Sequence, residues 1–407
     1  MKALIITPMH PELSMVGGVG VTRRMKLFMS ALGSLSNDIH IAYLAPSSLL
    51  AQDQGALEQL QARFWGLPLK ATIVPRGTRR ETFRNHYLDG LWHAYDQPAV
   101  YSFAGPEQAQ AVGTLLDQEH DLVFVHHLIG MCAVLRSGRR PKNMFFDLDD
   151  VDHRVRLRYA LSPPRWPGKL AYAAHVPALL AAERRGIALS RQTFVCSAAD
   201  RATLRRWSPG GRITVVPNAL PVPAVATGPA SAPNLLFLGA CEYPPNIEAA
   251  ERLVNAIFPI VRNAVPQARL IIAGGGSDRL PSRKHSPANV DYLGYVPDLD
   301  ALYANARIVC CPLVNGGGTR IKLIEAAGYG LPMVSSHVGA EGLDFADGSE
   351  ILLRDGDADF AQACIGLLRD EQACARLGDA ARTRMRELYD AGKIVDQVRT
   401  LMSDRRQ

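Results

Sequence analysis

The chain has 407 residues, more than one hydrophobic core normally supports, so we expect two domains. Its apolar content of 47% is ordinary for a globular enzyme, and no run of eighteen apolar residues that could span a membrane occurs. The start lacks the small-residue cleavage site of a secretory signal, so we expect a soluble, cytoplasmic protein.

The net charge of +6 is distributed unevenly along the chain. Lys and Arg outnumber Asp and Glu over residues 1–220, and the reverse holds in the remainder. A basic first half favours contact with an anionic surface or a phosphate-bearing substrate. The chain has no helix-turn-helix signature, zinc finger or RNA-recognition consensus, so nucleic acid is not an expected partner.

Short runs rich in Val, Ile, Leu and Phe recur in the first half, each followed by a turn and a longer segment with helical spacing. This alternation predicts a parallel sheet with crossover helices. The predicted strands are 3–7, 39–44, 71–74, 122–125, 144–146, 193–196 and 214–216.

The stretch LPVPAVATGPASAP from residue 220 carries no charge and is rich in Pro, Ala and Gly, which is typical of an interdomain connector. We therefore predict a first domain over 1–220, a linker over 221–233 and a second domain over 234–387. An amphipathic helix at about 388–407 is expected to pack back on the first domain. The predicted strands of the second domain are 234–239, 269–273, 290–293, 307–312, 333–335 and 350–353.

Two doubly wound α/β domains bind ligands at the carboxyl ends of their strands, which predicts a shared cleft for two substrates. The most informative stretch for such a ligand is PLVNGGGTRIKLIEAAGYGLPMVSSHVGAEGL, residues 312–343. Three glycines at 316–318 separate a predicted strand from a helix that we expect to begin near Thr319, whose hydroxyl can cap it.

Arg320 and Lys322 lie in the first turn of this predicted helix, where positive charge opposes the helix dipole unless an anion is bound. Glycine amides, a helix N-terminus and two cations together predict a pyrophosphate site. Glu325, one turn later, is then within reach of a sugar hydroxyl. The alternative is a tight glycine turn with two solvated cations, in which Glu325 pairs with Lys322.

At these residues the chain resembles the group 1 family of retaining glycosyltransferases with the GT-B fold, and specifically the GGGTR-x-K branch of bacterial polysaccharide type. The resemblance extends over nearly the whole chain and includes PNA at 217–219 and LGYVPDLDALYANARI at 293–308. It implies two Rossmann-like domains facing a central cleft, and a nucleotide diphosphate sugar as donor substrate. It implies neither a cofactor nor a metal.

The resemblance also implies roles for individual residues. Arg320 and Lys322 would stabilise the leaving diphosphate, Glu325 would hold the ribose hydroxyls, and His126 would lie beside the transferred sugar as the fourth catalytic residue. Positions in loops and turns would complete the donor site: Gly17, Gly18, Gly274, Gly275, Tyr295, Val296, Gly316, Gly317, Gly318 and Thr319.

The acceptor residues implied are Asp150 and His127, which follow the predicted strands 144–146 and 122–125. A histidine at a strand end is otherwise a common structural residue, and an aspartate there commonly caps the next helix. The chain departs from the family at Gly317, which stands where many members carry a first glutamate that contacts the donor sugar.

The run HRVRLRYALSPPRWPGKLAYAAHVPALL from residue 153 interleaves cations with Trp and Tyr, which suits an anionic membrane surface or a lipid-linked acceptor. A solvated helix face is the alternative interpretation. A saccharide acceptor also fits the family. The rival functions are a noncatalytic sugar-nucleotide sensor and a nucleotide-sugar epimerase of the same fold.

Overall fold

The computed structural model contains two parallel β-sheets, each in its own compact unit. The structure describes residues 1–10, 19–45, 54–75, 104–162, 167, 170, 172–285, 287–316 and 318–404. One unit consists of Met1–Pro217 together with Ile394–Gln407, and the other of Asn218–Lys393. The expected α/β fold is confirmed.

The sheet of the first unit has seven parallel strands in the order β3-β2-β1-β4-β5-β6-β7. Its central strands β1 and β4 are buried along nearly their whole length, as parallel strands covered on both faces must be. The strands are β1 Lys2–Thr7, β2 Asp38–Ala45, β3 Lys70–Pro75, β4 Leu122–His126, β5 Met144–Asp147, β6 Gln192–Val195 and β7 Ile213–Val215.

The helices described in the N-terminal part of this unit follow the strands as crossovers. They are α1 Val19–Leu35, α2 Gln54–Trp65, α3 Pro106–Leu116, α4 His127–Ser137, α5 Asp152–Leu161, α6 Val176–Leu189 and α7 Ala198–Trp207. Chain order reverses between β1 and β4, and such a switch point is where open α/β sheets bind ligands.

The second unit repeats the plan with six parallel strands in the order β10-β9-β8-β11-β12-β13, so its switch point lies between β8 and β11. The strands are β8 Asn234–Leu238, β9 Arg269–Ala273, β10 Val290–Gly294, β11 Ile308–Cys311, β12 Met333–Ser335 and β13 Leu352–Leu353. The helices are α8 Pro244–Arg252, α9 Phe258–Ala264, α10 Leu299–Ala304, α11 Ile321–Tyr329, α12 Asp357–Arg369, α13 Glu371–Leu388 and α14 Ala391–Ser403.

The last helix, α14, lies in the stretch where we expected a C-terminal helix, and from Ile394 onward it belongs to the first unit. Val398 and Met402 are buried there. The Gln397 amide donates to the carbonyl of Val215 across 3.2 Å. The amphipathic pattern of this helix therefore matches the face that it buries.

Residues 221–233, predicted as a linker, make backbone hydrogen bonds within the second unit: Gly228 N–H donates to the Tyr329 carbonyl at 3.1 Å and Ala230 N–H to the Ala306 carbonyl at 2.9 Å. One local expectation is wrong. The helix expected near Thr319 begins at Ile321, and the residue preceding it, Arg320, makes no side-chain cap. No helix in the described ranges is long and apolar enough to cross a membrane.

Candidate functional site

In the second unit, three glycines and two cations gather near the carboxyl ends of β8, β9 and β11 and the start of α11. We call Gly239, Gly274, Gly316, Arg320 and Lys322 the α11 cradle. Gly239 N–H donates to the Ala273 carbonyl at 2.9 Å and Gly274 N–H to the Gly294 carbonyl at 2.8 Å, so the turns after β8, β9 and β10 are tied together.

Gly274 has a φ of +122°, and a Cβ at this position would lie 2.2 Å from the Gly239 carbonyl oxygen. No side chain fits there, so the two turns can approach only as glycines. Gly275 lies beside Glu242, whose carboxylate would be 3.3 Å from an added Cβ. Of the two predicted donor residues, Gly274 thus belongs to the α11 cradle, and Gly275 lies beside Glu242.

Lys322 is held at the centre of the cradle by neutral groups. Its Nζ donates to Asn246 Oδ1 at 3.0 Å and lies 4.4 Å from the ring centroid of buried Phe237. No carboxylate of the described residues pairs with this ammonium, and the alternative pairing with Glu325 is not formed. Burial lowers the pKa of Lys322, and the nearby Arg320 charge lowers it further.

Arg320 is 8% exposed, and its Nη1 donates to the Gly318 carbonyl at 2.6 Å. Gly316 and Gly318 have φ values of +112° and +74°, in the left-handed region that favours glycine. A Cβ on Gly316 would lie 3.0 Å from Arg320 Nη2, so the glycine also leaves room for the guanidinium. Gly317 lies outside the described residues.

Glu325 is half-buried one turn into α11, and its Oε2 accepts a hydrogen bond of 3.1 Å from the Tyr303 hydroxyl. Tyr303 is fully buried and stacks on Tyr329 with ring centroids 4.6 Å apart. The carboxylate is therefore oriented by a rigid aromatic pair that the sequence did not indicate. Tyr295 projects into solvent with 79% exposure, while Val296 is half-buried against the core.

In the first unit, polar groups collect where β1, β4 and β5 end. We call Thr7, His126, His127, Asp147 and the carboxylates Asp149, Asp150 and Asp152 the β4-edge cluster. Asp149 is 7% exposed, and its Oδ1 has no hydrogen-bond partner among the described residues. Gly17 and Gly18, expected at this edge, lie outside the described residues.

His126 is completely buried, with its Nδ1 2.9 Å from the hydroxyl oxygen of Thr7. That oxygen already accepts the Met9 N–H at 3.1 Å, so its single hydrogen is available for Nδ1. When Thr7 donates to Nδ1, the imidazole hydrogen lies on Nε2, which is 4.0 Å from Asp147 Oδ2. Burial lowers the pKa of His126 to about 4, so the ring is neutral at pH 7 and presents a donor.

His127 begins α4 with a φ of +67°, a conformation that is uncommon for a residue with a side chain. Its Nε2 lies 3.8 Å from Asp149 Oδ1. Although burial acts in the opposite sense, Asp149, Asp152 and Asp150 together raise the pKa of His127. The neighbouring carboxylates therefore favour the protonated form of His127.

Burial and the neighbouring charges of Asp149 and Asp152 raise the pKa of Asp150 to about 7. Burial also raises the pKa of Asp152 to about 6. Both side chains change protonation state near neutral pH, as groups at functional sites commonly do.

The main residue of the first unit that sequence analysis missed is Arg24 in α1. Its guanidinium pairs with Asp147 at distances between 2.5 and 3.1 Å and donates to the Val216 carbonyl at 2.7 Å. Both partners are buried, so the pair fixes the end of β5 beside His126. The sequence shows two adjacent arginines, 23 and 24, in an amphipathic helix, but this pattern does not indicate that Arg24 pairs with Asp147.

Residues 232–370 match the family described as glycosyl transferases group 1. The second unit therefore carries a group 1 glycosyl transferase domain, as the resemblance implied.

Two curated relatives match part of the chain. An uncharacterized 44.6 kDa protein in the cps region of Klebsiella pneumoniae is 23% identical over 174 residues, 40% of this chain and 45% of the relative. The phosphatidyl-myo-inositol mannosyltransferase of Mycolicibacterium smegmatis is 30% identical over 210 residues, 48% of this chain and 53% of the relative. The chain thus spans about half the length of these relatives.

The crystal structure of Anabaena Alr3699/HepE in complex with UDP and glucose covers 99% of this chain and 100% of its own, with a TM-score of 0.60 at 15% identity. A likeness at this identity shows a common fold.

Proposed function

We propose that this chain is a glycosyltransferase that moves a sugar from a nucleotide diphosphate sugar to an acceptor hydroxyl, with retention and without a metal. The observation that carries the proposal is Lys322, a half-buried ammonium with no carboxylate partner among the described residues, beside buried Arg320. Two neighbouring cations repel each other and are stabilised by a diphosphate bound between them.

The donor would bind in the second unit. Its diphosphate would accept hydrogen bonds from Arg320, Lys322 and the amides of the glycine turns, including Gly317, Gly318 and Thr319. Glu325, oriented by Tyr303, would accept from the ribose hydroxyls. The main chain at Tyr295 and Val296 would border the base. Gly17 and Gly18 of the first unit would complete the phosphate contacts.

Transfer breaks the bond between the anomeric carbon and the diphosphate oxygen, so negative charge grows on the leaving group. Preorganised cations are most effective where charge develops, and Arg320 and Lys322 would act there. In a retaining same-face reaction the leaving phosphate itself accepts the proton of the acceptor hydroxyl. No residue then has to serve as a nucleophile.

The first unit would bind the acceptor through the β4-edge cluster. His126 Nε2–H would donate to a hydroxyl of the transferred sugar, and Asp150 and His127 would bind the acceptor. The Klebsiella relative supports a role in surface polysaccharide synthesis, and the mannosyltransferase supports a lipid-linked acceptor. Either would place the protein in the cytoplasm, in contact with the inner face of the membrane when the acceptor is lipid-linked.

The proposal is tested by incubating the protein with UDP-, GDP- and ADP-sugars with and without saccharide or polyprenyl-phosphate acceptors, in the presence of a chelator. Release of nucleotide diphosphate that depends on the acceptor, with an α-linked product from an α-linked donor, is the expected result. Binding without release would identify a sensor, and conversion of the donor to an isomer would identify an epimerase. Either of these two outcomes contradicts the proposal.

A further inference from the structure

A cavity of about 870 Å³ in the first unit lies away from the β4-edge cluster. It is lined by residues of α6, of the loop before β6 and of the loop between α7 and β7. Arg191 directly precedes β6 and Arg212 directly precedes β7, whereas His126 ends β4. Starts and ends of parallel strands lie at opposite ends of a sheet, so this cavity is separate from the β4-edge cluster.

The lining of the cavity carries positive charge without a carboxylate. Four of its thirteen lining residues are arginines and none is Asp or Glu: the arginines are Arg184, Arg185, Arg191 and Arg212. A smaller adjoining cavity of about 370 Å³ shares Arg212 and adds Arg205. Guanidinium groups from separate segments that face one space repel each other unless an anion lies between them.

Arg191 is fixed in place by neutral partners. Its Nη1 donates to Asn143 Oδ1 at 2.9 Å, its Nη2 donates to the backbone carbonyl of Asp404, and the guanidinium lies 5.9 Å from the ring centroid of Phe145. None of these contacts neutralises its charge. The guanidinium is therefore both oriented and available to an anion.

The loop that carries Arg212 is also fixed. A Cβ on Gly211 would lie 2.4 Å from Ile187 Cγ2, so only glycine permits the loop to pack this closely on α6. Trp207 at the end of α7 is 49% exposed and gives the cavity an aromatic wall beside Ile187. The cavity thus combines several guanidinium groups with an apolar surface.

We propose that this arginine cavity is a second anion site, which binds a phosphate-bearing ligand. Planar guanidinium groups match phosphate oxygens in pairs, and three to five of them suit a group with more than one negative charge. The volume accommodates a phosphorylated ring against Trp207 and Ile187. The same chemistry is offered by a soluble phosphate ester and by the headgroup of an anionic lipid.

The test uses the full chain with Lys322→Met, so that a phosphate ligand is not bound at the α11 cradle. Inositol trisphosphate is titrated by calorimetry at fixed ionic strength, and binding to phosphatidylcholine vesicles with and without phosphatidylglycerol is measured by sedimentation. The site variant is Arg184→Gln with Arg212→Gln. The control, Arg376→Gln with Arg386→Gln, removes the same charge from exposed positions on α13 in the other unit.

Saturable binding of inositol trisphosphate that weakens at least tenfold in the site variant, but not in the control, supports a soluble ligand. Binding to phosphatidylglycerol vesicles alone, lost in the same variant, supports a lipid headgroup. The proposal is overturned if the site and control variants bind both probes equally, or if sulfate at equal ionic strength replaces the trisphosphate. Unchanged melting temperatures of the unliganded variants separate loss of the site from loss of the fold.

Discussion

The hydroxyl of Thr7, at the end of β1, lies 2.9 Å from Nδ1 of His126, at the end of the neighbouring strand β4. The Thr7 oxygen also accepts the Met9 N–H, and its hydroxyl hydrogen, donated to Nδ1, would place the ring hydrogen of His126 on Nε2. Thr7 is thus a positioning residue for His126.

Thr7→Val should remove the hydrogen bond to His126 Nδ1, whereas Thr7→Ser should retain it. In the unsubstituted protein and in Thr7→Ser, ¹⁵N chemical shifts of the His126 ring should report the Nε2–H tautomer. In Thr7→Val the two tautomers should mix, and transfer should slow about tenfold with little change in donor affinity. An Nδ1–H signal in the unsubstituted protein would show that the assignment is reversed.

Lys322→Met should bind nucleotide diphosphate more weakly while leaving the unliganded protein as stable or more stable. The substitution removes a half-buried charge that lacks a carboxylate partner among the described residues. Losing one contact to developing charge costs about 3 kcal/mol, roughly a hundredfold in rate. Arg320→Ala should likewise weaken nucleotide diphosphate binding and slow transfer. The free-energy loss in the double variant should be smaller than the sum of the two single losses. Unfolding of both variants with unchanged affinity per folded molecule would show a structural role instead.

The affinity for nucleotide diphosphate should fall as pH rises. The fall should be centred at a pH below 10.5, the ordinary pKa of lysine. Burial and Arg320 lower the pKa of Lys322, and the protonated ammonium is the form that binds a diphosphate. As pH rises through the lowered pKa, the positive charge is lost. Lys322→Arg should remove this decline because guanidinium stays protonated. The measurement is the Kd for UDP of the unsubstituted protein and of Lys322→Arg, between neutral pH and about pH 10.

Asp150→Asn should stabilise the protein at pH 8 by a few degrees in Tm and leave it nearly unchanged at pH 4. The pKa of Asp150 is raised from 3.8 to about 7 by burial and by Asp149 and Asp152. A raised carboxyl pKa contributes stability below the unfolded value, and this contribution is lost as pH rises through the folded value. Equal changes in Tm at both pH values would contradict the shift.

Gly274→Ala should destabilise the second unit by at least about 2 kcal/mol and abolish nucleotide binding. The added Cβ would meet the Gly239 carbonyl at 2.2 Å at a φ of +122°. Gly366→Ala is the matched control, since Gly366 is exposed in α12 and an added Cβ meets nothing within 4 Å. The control should gain about 1 kcal/mol from helix propensity. Similar effects of the two substitutions on Tm would exclude the proposed steric role.

The strands and the fold class could be predicted because each strand is a short apolar run that is buried on both faces of a parallel sheet. The start of α11 could not be placed because Thr319 has the chemistry of a cap, whereas the glycine turn delays the helix to Ile321. Composition indicated a linker at 221–233 but not the backbone hydrogen bonds that Gly228 and Ala230 make within the second unit.

The supporting residues were missed for a different reason. Thr7 is 119 positions from His126, and Arg24 is 123 positions from Asp147. Such contacts exist only after the strands have paired and leave no local pattern in the chain. Groups next to a glycine turn, such as Lys322, were predictable because the turn and the cations are adjacent in sequence.

Because most of α14 belongs to the first unit, that unit cannot complete its fold until the second unit has been synthesised. The strands of the first unit are synthesised before Asn218, but the surface beneath Val398 and Met402 stays uncovered until the whole second unit has left the ribosome. A fragment ending at Pro217 would expose this apolar surface and should aggregate. Adding residues 391–404 as a separate peptide should keep this fragment soluble. The helix α14 thus completes the fold of the first unit.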